Sequence, residues 1–139
     1  MKLKIINCKK GDKTKYYEKI SNSKFFQKDK DLGYPLIFCI AAVIGFNDKN
    51  YQEIKKKEWI IRTEYIDSNS NLKTLLQSIA IADKTSIEIL DEEGDIYKIA
   101  EGYANGGIKK LYSMVTSVSG PDFDKEIELK MNDVIKKLK

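Results

Sequence analysis

The sequence predicts a mainly α protein, a compact single-domain bundle of about five to six helices with room for a short extended segment at the N-terminus or in mid-chain. Three observations carry that reading. Apolar residues recur at helical spacing through Leu72, Leu75, Leu76, Ile79 and Ala80, then through Ile96, Ile99, Ala100 and Tyr103, then through Ile108, Leu111, Tyr112 and Val115. Residues 36–46 are apolar on every side, the pattern of a helix surrounded by protein. No repeat, low-complexity tract or Pro/Gly-rich linker divides the 139 residues, a length that suits one core.

Taken in order, residues 1–24 form a lysine-rich N-terminal segment in which residues 1–7 alternate weakly, and a short edge strand and a loosely held start both stay open there. Residues 15–27 carry paired aromatics interrupted by Ser21, Asn22 and Ser23, which suggests a short helix and a turn. Pro35 suits a first helical turn, where its missing N–H costs nothing. Gly45 and the polar residues 47–50 supply a stop for the apolar helix. Residues 54–67 mix strand formers (Ile60, Ile61, Tyr65) with helix-compatible lysines, and helix and strand both stay open there. The same holds for residues 85–91. Residues 68–71, Ser-Asn-Ser-Asn, are rich in capping side chains for the helix that follows. Residues 121–139 read as a final helix, with Pro121, Asp122 and Asp124 at its start and Lys136, Lys137 and Lys139 at its end, complementing the helix dipole.

The chemistry is bounded first by an absence. With no histidine in the chain, the usual neutral-pH general base, the Ser-His and Cys-His pairs and most zinc sites are excluded. No Walker-type loop or dinucleotide fingerprint occurs, so neither a cofactor nor a metal is expected. Pro121-Asp122 followed by Glu128-Leu129-Lys130 superficially matches a nuclease signature, but a single helix would turn those side chains to different faces. The acidic residues 91–95 lack calcium-loop spacing and read as a solvated turn. The two cysteines, Cys8 and Cys39, read as buried thiols in a reducing cytoplasm. The opening residues lack the apolar core of a secretory signal, and the longest apolar run is too short to cross a bilayer, so a cytoplasmic protein without membrane contact is expected.

Charge is segregated along the chain. Residues 1–30 hold ten lysines against three acids, +7, and residues 83–105 hold seven acids against two lysines, −5. Trp59, Arg62, Tyr65 and Tyr103, with Glu92 and Glu93, are the candidate partner-binding residues, since aromatic and arginine side chains dominate interface energetics. The stretch Asn105-Gly106-Gly107-Ile108-Lys109-Lys110 reads foremost as a corner between two helices. Its functional alternative is an anion site, in which Gly106 and Gly107 offer N–H groups and Lys109 and Lys110 add charge. Twenty-four lysines against the single Arg62 favour nonspecific phosphate contact, through the basic N-terminal region, over base reading.

Four stretches, IFCIAAVIGF (37–46), IKKKEWIIRTEYID (54–67), LLQSIAIADKTSIEIL (75–90) and IAEGYANGGIKKL (99–111), together resemble the small proteins of bacterial DNA-phosphorothioation (dnd-type) defence clusters. The resemblance spans roughly residues 25–115, and YANGG is its most specific part. It implies an accessory, noncatalytic component of an anti-phage restriction system that binds a larger ATPase or nuclease partner, or itself. It carries over no catalytic residues. The alternative is a nonspecific nucleic-acid-binding accessory or transcriptional regulator.

Overall fold

The computed structural model describes residues 4–23, 26, 33–117 and 129. Strand β1 (Ile5–Lys9) leads through a π-helical turn (Lys13–Tyr17) into α1 (Glu18–Ser21). The chain continues through α2 (Gly33–Asn47), β2 (Lys57–Arg62), α3 (Glu64–Asp67) and α4 (Ser70–Lys84), then a 3-10 turn (Ile87–Asp91) and α5 (Glu93–Ser117). The architecture is mainly α with a two-stranded antiparallel ribbon, as expected. The expected final helix at 121–139, and the Asp122–Lys130 signature within it, lie outside the described residues apart from Leu129.

Helix α2 is the centre of the core. Every residue from Ile37 to Gly45 is buried, so no face of that stretch meets water. It packs most extensively against α5 and less so against α4, which carries the expected stripe of Leu72, Leu75, Leu76, Ile79 and Ala80. The start of α4 is fixed by Asn69, whose side chain accepts from the Leu72 N–H at 3.1 Å. Gly45 does not stop α2, which runs on to Asn47. The open segment 85–91 is neither strand nor α-helix. It is a 3-10 turn begun by Ser86, whose hydroxyl accepts from the Glu88 N–H at 3.2 Å.

The largest correction concerns residues 105–107. They form no corner, because α5 passes straight through them as one helix of 25 residues. Glycine disfavours a helix interior by about 1 kcal/mol relative to alanine, so its presence there needs a reason. The reason is the approach of neighbouring backbone. A Cβ on Gly107 would stand 2.0 Å from the carbonyl oxygen of Ala41 and 2.7 Å from the nitrogen of Gly45. Across the same seam, a Cβ on Gly45 would stand 1.9 Å from the carbonyl oxygen of Tyr103. Gly106 is pressed equally closely by the carbonyl of Asn50, at 1.7 Å from such a Cβ. Helices α2 and α5 therefore meet along glycine and alanine, backbone to backbone.

Both cysteines are free and buried, Cys8 in β1 and Cys39 in α2. Burial, with Glu58 and Asp12 adding like charge, pushes the Cys8 thiol up to about 12, and burial alone raises Cys39 as well. Neither is a thiolate at neutral pH. No helix among the described residues is long and apolar enough to cross a membrane.

Candidate functional site

The ribbon sets the geometry of the candidate site. In register, Ile5 faces Arg62 and Ile6 faces Ile61, but Asn7 faces Trp59, leaving Ile60 as one extra residue in β2. Regular alternation would put Trp59 and Ile61 on one face and Ile60 and Arg62 on the other. The bulge resets that alternation. Ile60 and Ile61 are both buried, while Trp59 before them and Arg62 after them are both exposed. A bulge re-aims side chains in this way while leaving the strands paired on either side. The Asn7 N–H opposite the bulge is met from α5, where Glu101 Oε2 accepts from it at 2.6 Å.

Trp59, Arg62 and Tyr65 line one groove of ≈ 470 Å³, whose other side is Gly33, Tyr34 and Pro35 at the start of α2. Trp59 is 45% exposed and Tyr65 57% exposed, the largest aromatic surface left in water among the described residues. Trp59 is held on one side by Lys13, whose Nζ sits 5.3 Å from the ring centroid. Arg62 Nη1 lies 3.7 Å from Glu64 Oε1, with both side chains more than half exposed, a pairing weak enough to yield to a better partner. The groove is thus an apolar slot with one cationic fork.

The remaining candidates are not brought to this groove. Tyr103 is a core residue, not a surface anchor. It lies edge-on to Phe46 and Tyr51 at 5.3 and 5.1 Å, and its hydroxyl donates to Asp83. Burial first, and then the Asp83 carboxylate, raise its pKa. Glu93 is engaged inside the molecule. Lys73 Nζ lies 3.2 Å from Glu93 and 2.6 Å from Asp67, and the Tyr97 hydroxyl donates to Asp67 as well. Partial burial lifts the Asp67 carboxyl, but the Lys73 and Tyr97 hydrogen bonds and the Lys73 charge outweigh it and leave Asp67 below its ordinary value. Glu92 alone of the acidic pair is exposed.

The glycine anion site is also corrected. Gly106 and Gly107 lie in the interior of α5, where N–H groups bond the carbonyl four residues back and have nothing to offer an anion. Lys109 and Lys110 are exposed on the next turn, and Lys110 pairs with Asp48 at 2.8 Å. Sequence reasoning missed the groove wall at Tyr34 and Pro35, which carry no signal of their own and reach Trp59 only through the fold. It also missed Glu101, whose half-buried carboxyl has no motif around it.

Among the described residues, no group of three or more carboxylate or thiol side chains converges as a metal site would. The fold and the groove define a small helical domain that presents an aromatic slot on a bulged two-stranded ribbon. The family of DNA sulphur modification system-associated protein 4 matches residues 12–136, nearly the whole chain, and the protein belongs to that family. The match bears out the resemblance to dnd-associated proteins and extends it at both ends. No curated protein and no solved structure matches the chain.

Proposed function

We propose that this protein is a noncatalytic, cytoplasmic accessory subunit of a bacterial anti-phage defence system of the DNA restriction/modification type. It acts by seating a segment of a larger ATPase or nuclease subunit in the groove of Trp59, Arg62 and Tyr65. The observation that carries the reading is the bulge. It turns an aromatic residue and an arginine to the same outward face beside a second exposed aromatic, so that two exposed rings and a cation share one groove. Such residues in a slot supply most of the energy of a protein interface. Leaving a tryptophan half in water forgoes about 1 kcal/mol or more of burial that a partner can restore. Membership of a family associated with DNA sulphur modification supports the system in which the partner is sought.

The test is co-purification with the proteins encoded beside it, comparing the parent with Trp59→Ala, Tyr65→Ala and Glu92→Lys. The groove variants are expected to weaken capture by about 30-fold or more each, the scale of an interface hot spot, at an unchanged melting temperature. Glu92→Lys, away from the groove, should leave capture within a few-fold of the parent. Capture that survives both groove substitutions sinks the reading.

A further inference from the structure

Two lysine-lined depressions meet where the end of β1 passes α5 and the segment between α2 and β2. The first, ≈ 590 Å³, takes Lys9 and Lys15 from the N-terminal segment and Lys109 from α5. The second, ≈ 470 Å³, takes Lys9 again with Lys10, Lys55 and Lys56. Lys9, Gln52 and Asn105 line both, so the two form one continuous trough. All six lysines are exposed. Against them stand Asp12, which is buried, and Glu53. Lys110 also lines the trough, and its ion pair with Asp48 keeps it out of the count.

The uncharged groups of the trough are structural. Asn105 Nδ2 donates to the Gln52 carbonyl at 3.0 Å, Asn50 Nδ2 to the Gly106 carbonyl at 2.9 Å, and Gln52 Nε2 to Asn50 Oδ1 at 3.1 Å. Those bonds clamp the segment after α2 onto α5, and the Lys10 N–H bonds the Lys56 carbonyl at 2.9 Å. The lysines of three separate segments are thereby held side by side. Lysine is a point charge without a directional fork, suited to phosphate oxygens and unsuited to reading bases. Tyr16, in the floor, is buried beneath Lys15, whose Nζ lies 5.2 Å from the ring centroid. It offers no face on which an unpaired base would stack.

We infer that this trough binds the phosphodiester backbone of duplex nucleic acid, without sequence preference. A row of ammonium groups across two joined depressions fits an extended polyanion better than a single phosphate. The want of an exposed aromatic among the described residues that line the trough favours a duplex, with its bases stacked inside, over a single strand. The trough shares no lining residue with the Trp59 groove, so both are free to be occupied at once.

The experiment is fluorescence anisotropy with a 24-base-pair duplex of arbitrary sequence, titrated across salt. Each phosphate neutralised contributes about −0.9 to the slope of log K against log salt, so four to six contacts predict a slope of roughly −4 to −5. The variant Lys9→Gln/Lys55→Gln/Lys56→Gln/Lys109→Gln should flatten that slope by about 3 and weaken binding at low salt by about 100-fold. Lys109→Glu alone gives the same direction should the fourfold variant melt early. A control with Lys19, Lys49, Lys84 and Lys98 each changed to Gln should bind within about threefold of the parent. Three results would overturn the inference: no binding at low salt, an equal loss in the control, or poly-glutamate competing as well as the duplex at matched charge. The last would make the trough a seat for an acidic protein surface.

Discussion

Helix α5 carries glycines where alanine would serve a helix better, and β2 carries one residue more than the strand beside it. The two departures serve opposite ends. At the α2–α5 seam, the missing side chains let Ala41 and Gly45 approach Gly107 and Tyr103 backbone to backbone, and the result is wholly interior. At the ribbon, the extra Ile60 lets two isoleucines point inward in succession and leaves Trp59 and Arg62 outside. The seam departs from its rule to close space, and the ribbon to open a surface. The most conspicuous motif in the chain, Tyr-Ala-Asn-Gly-Gly, is therefore a packing device. The least decipherable segment carries the candidate site.

The seam is the place where a small change should cost most. Gly107→Ala places a methyl group 2.0 Å from the Ala41 carbonyl oxygen, and the obstacle is backbone that cannot rotate aside. A loss of about 3 kcal/mol is expected, an overpacking cost at the upper end of its usual range, with a melting temperature lower by about 10 °C. Gly94, in the first turn of the same helix, has nothing within 4 Å of such a methyl group. Gly94→Ala should stay within about 0.5 kcal/mol of the parent or gain slightly from helix propensity. Thermal melts of the two variants break the comparison if they move alike.

The bulge should be sensitive at one remove, through Glu101. Glu101→Leu takes the acceptor from the Asn7 N–H, and leaving a donor unmet at a half-buried position costs about 1–3 kcal/mol. Because Trp59 is the only tryptophan, a relaxed bulge should also shift its fluorescence emission. Glu101→Gln keeps an acceptor and removes the charge, and its behaviour depends on pH. Burial raises the Glu101 carboxyl above its ordinary value, against the opposing Asn7 hydrogen bond and the Lys57 charge. A raised folded-state pKa gives stability that is full below the unfolded value, about 4.3, and is lost as pH rises through the folded one. At neutral pH the parent therefore bears a half-buried charge that Glu101→Gln lacks. The variant should melt slightly higher than the parent at pH 7, with the gap closing as pH falls toward 4. A gap that widens on acidification would place Glu101 in a charge pair instead.

Much of this fold was legible in the chain. The stripes of α4 and α5 followed from periodicity, because amphipathic spacing records directly which side meets the core, and α2 followed from an apolar run with no polar side at all. What escaped has a common cause. A glycine pair looks the same whether it serves a turn or a close approach, and the atom that decides, the Ala41 carbonyl, lies 66 residues from Gly107 in sequence. Residues 54–67 stayed open between helix and strand because Ile60, Ile61 and Tyr65 favour one and the lysines the other, and only the bulge brings Trp59 and Arg62, three apart, to one outward face of a strand. Of the candidate partner-binding residues, Trp59, Arg62 and Tyr65 meet in one groove because they are local to one segment. Tyr103 fails because its stripe of α5 faces the core, and Glu93 because Lys73 and Lys4 claim it.

The groove itself should tolerate substitution with little loss of stability, which is where the contrast with the seam is sharpest. Trp59 is 45% exposed, faces Asn7 across the ribbon and has Lys13 as its visible partner. Removing its ring forfeits partial burial and an exposed cation–π contact of about 0.5–1 kcal/mol, set against relief of apolar surface from water. Trp59→Ala should therefore melt within about 1 kcal/mol of the parent, although a fully buried aromatic such as Phe38 would cost about 3–5 kcal/mol on the same truncation. Arg62→Ala should be milder still, since its contact with Glu64 is long and exposed. Denaturant titration decides the matter. If Trp59→Ala costs as much as Gly107→Ala, the ring is a structural member of the ribbon, and the bulge exists to pack it instead of presenting it. If both groove variants fold as well as the parent, the tryptophan is dispensable to the fold, and its exposed position is explained by what binds there.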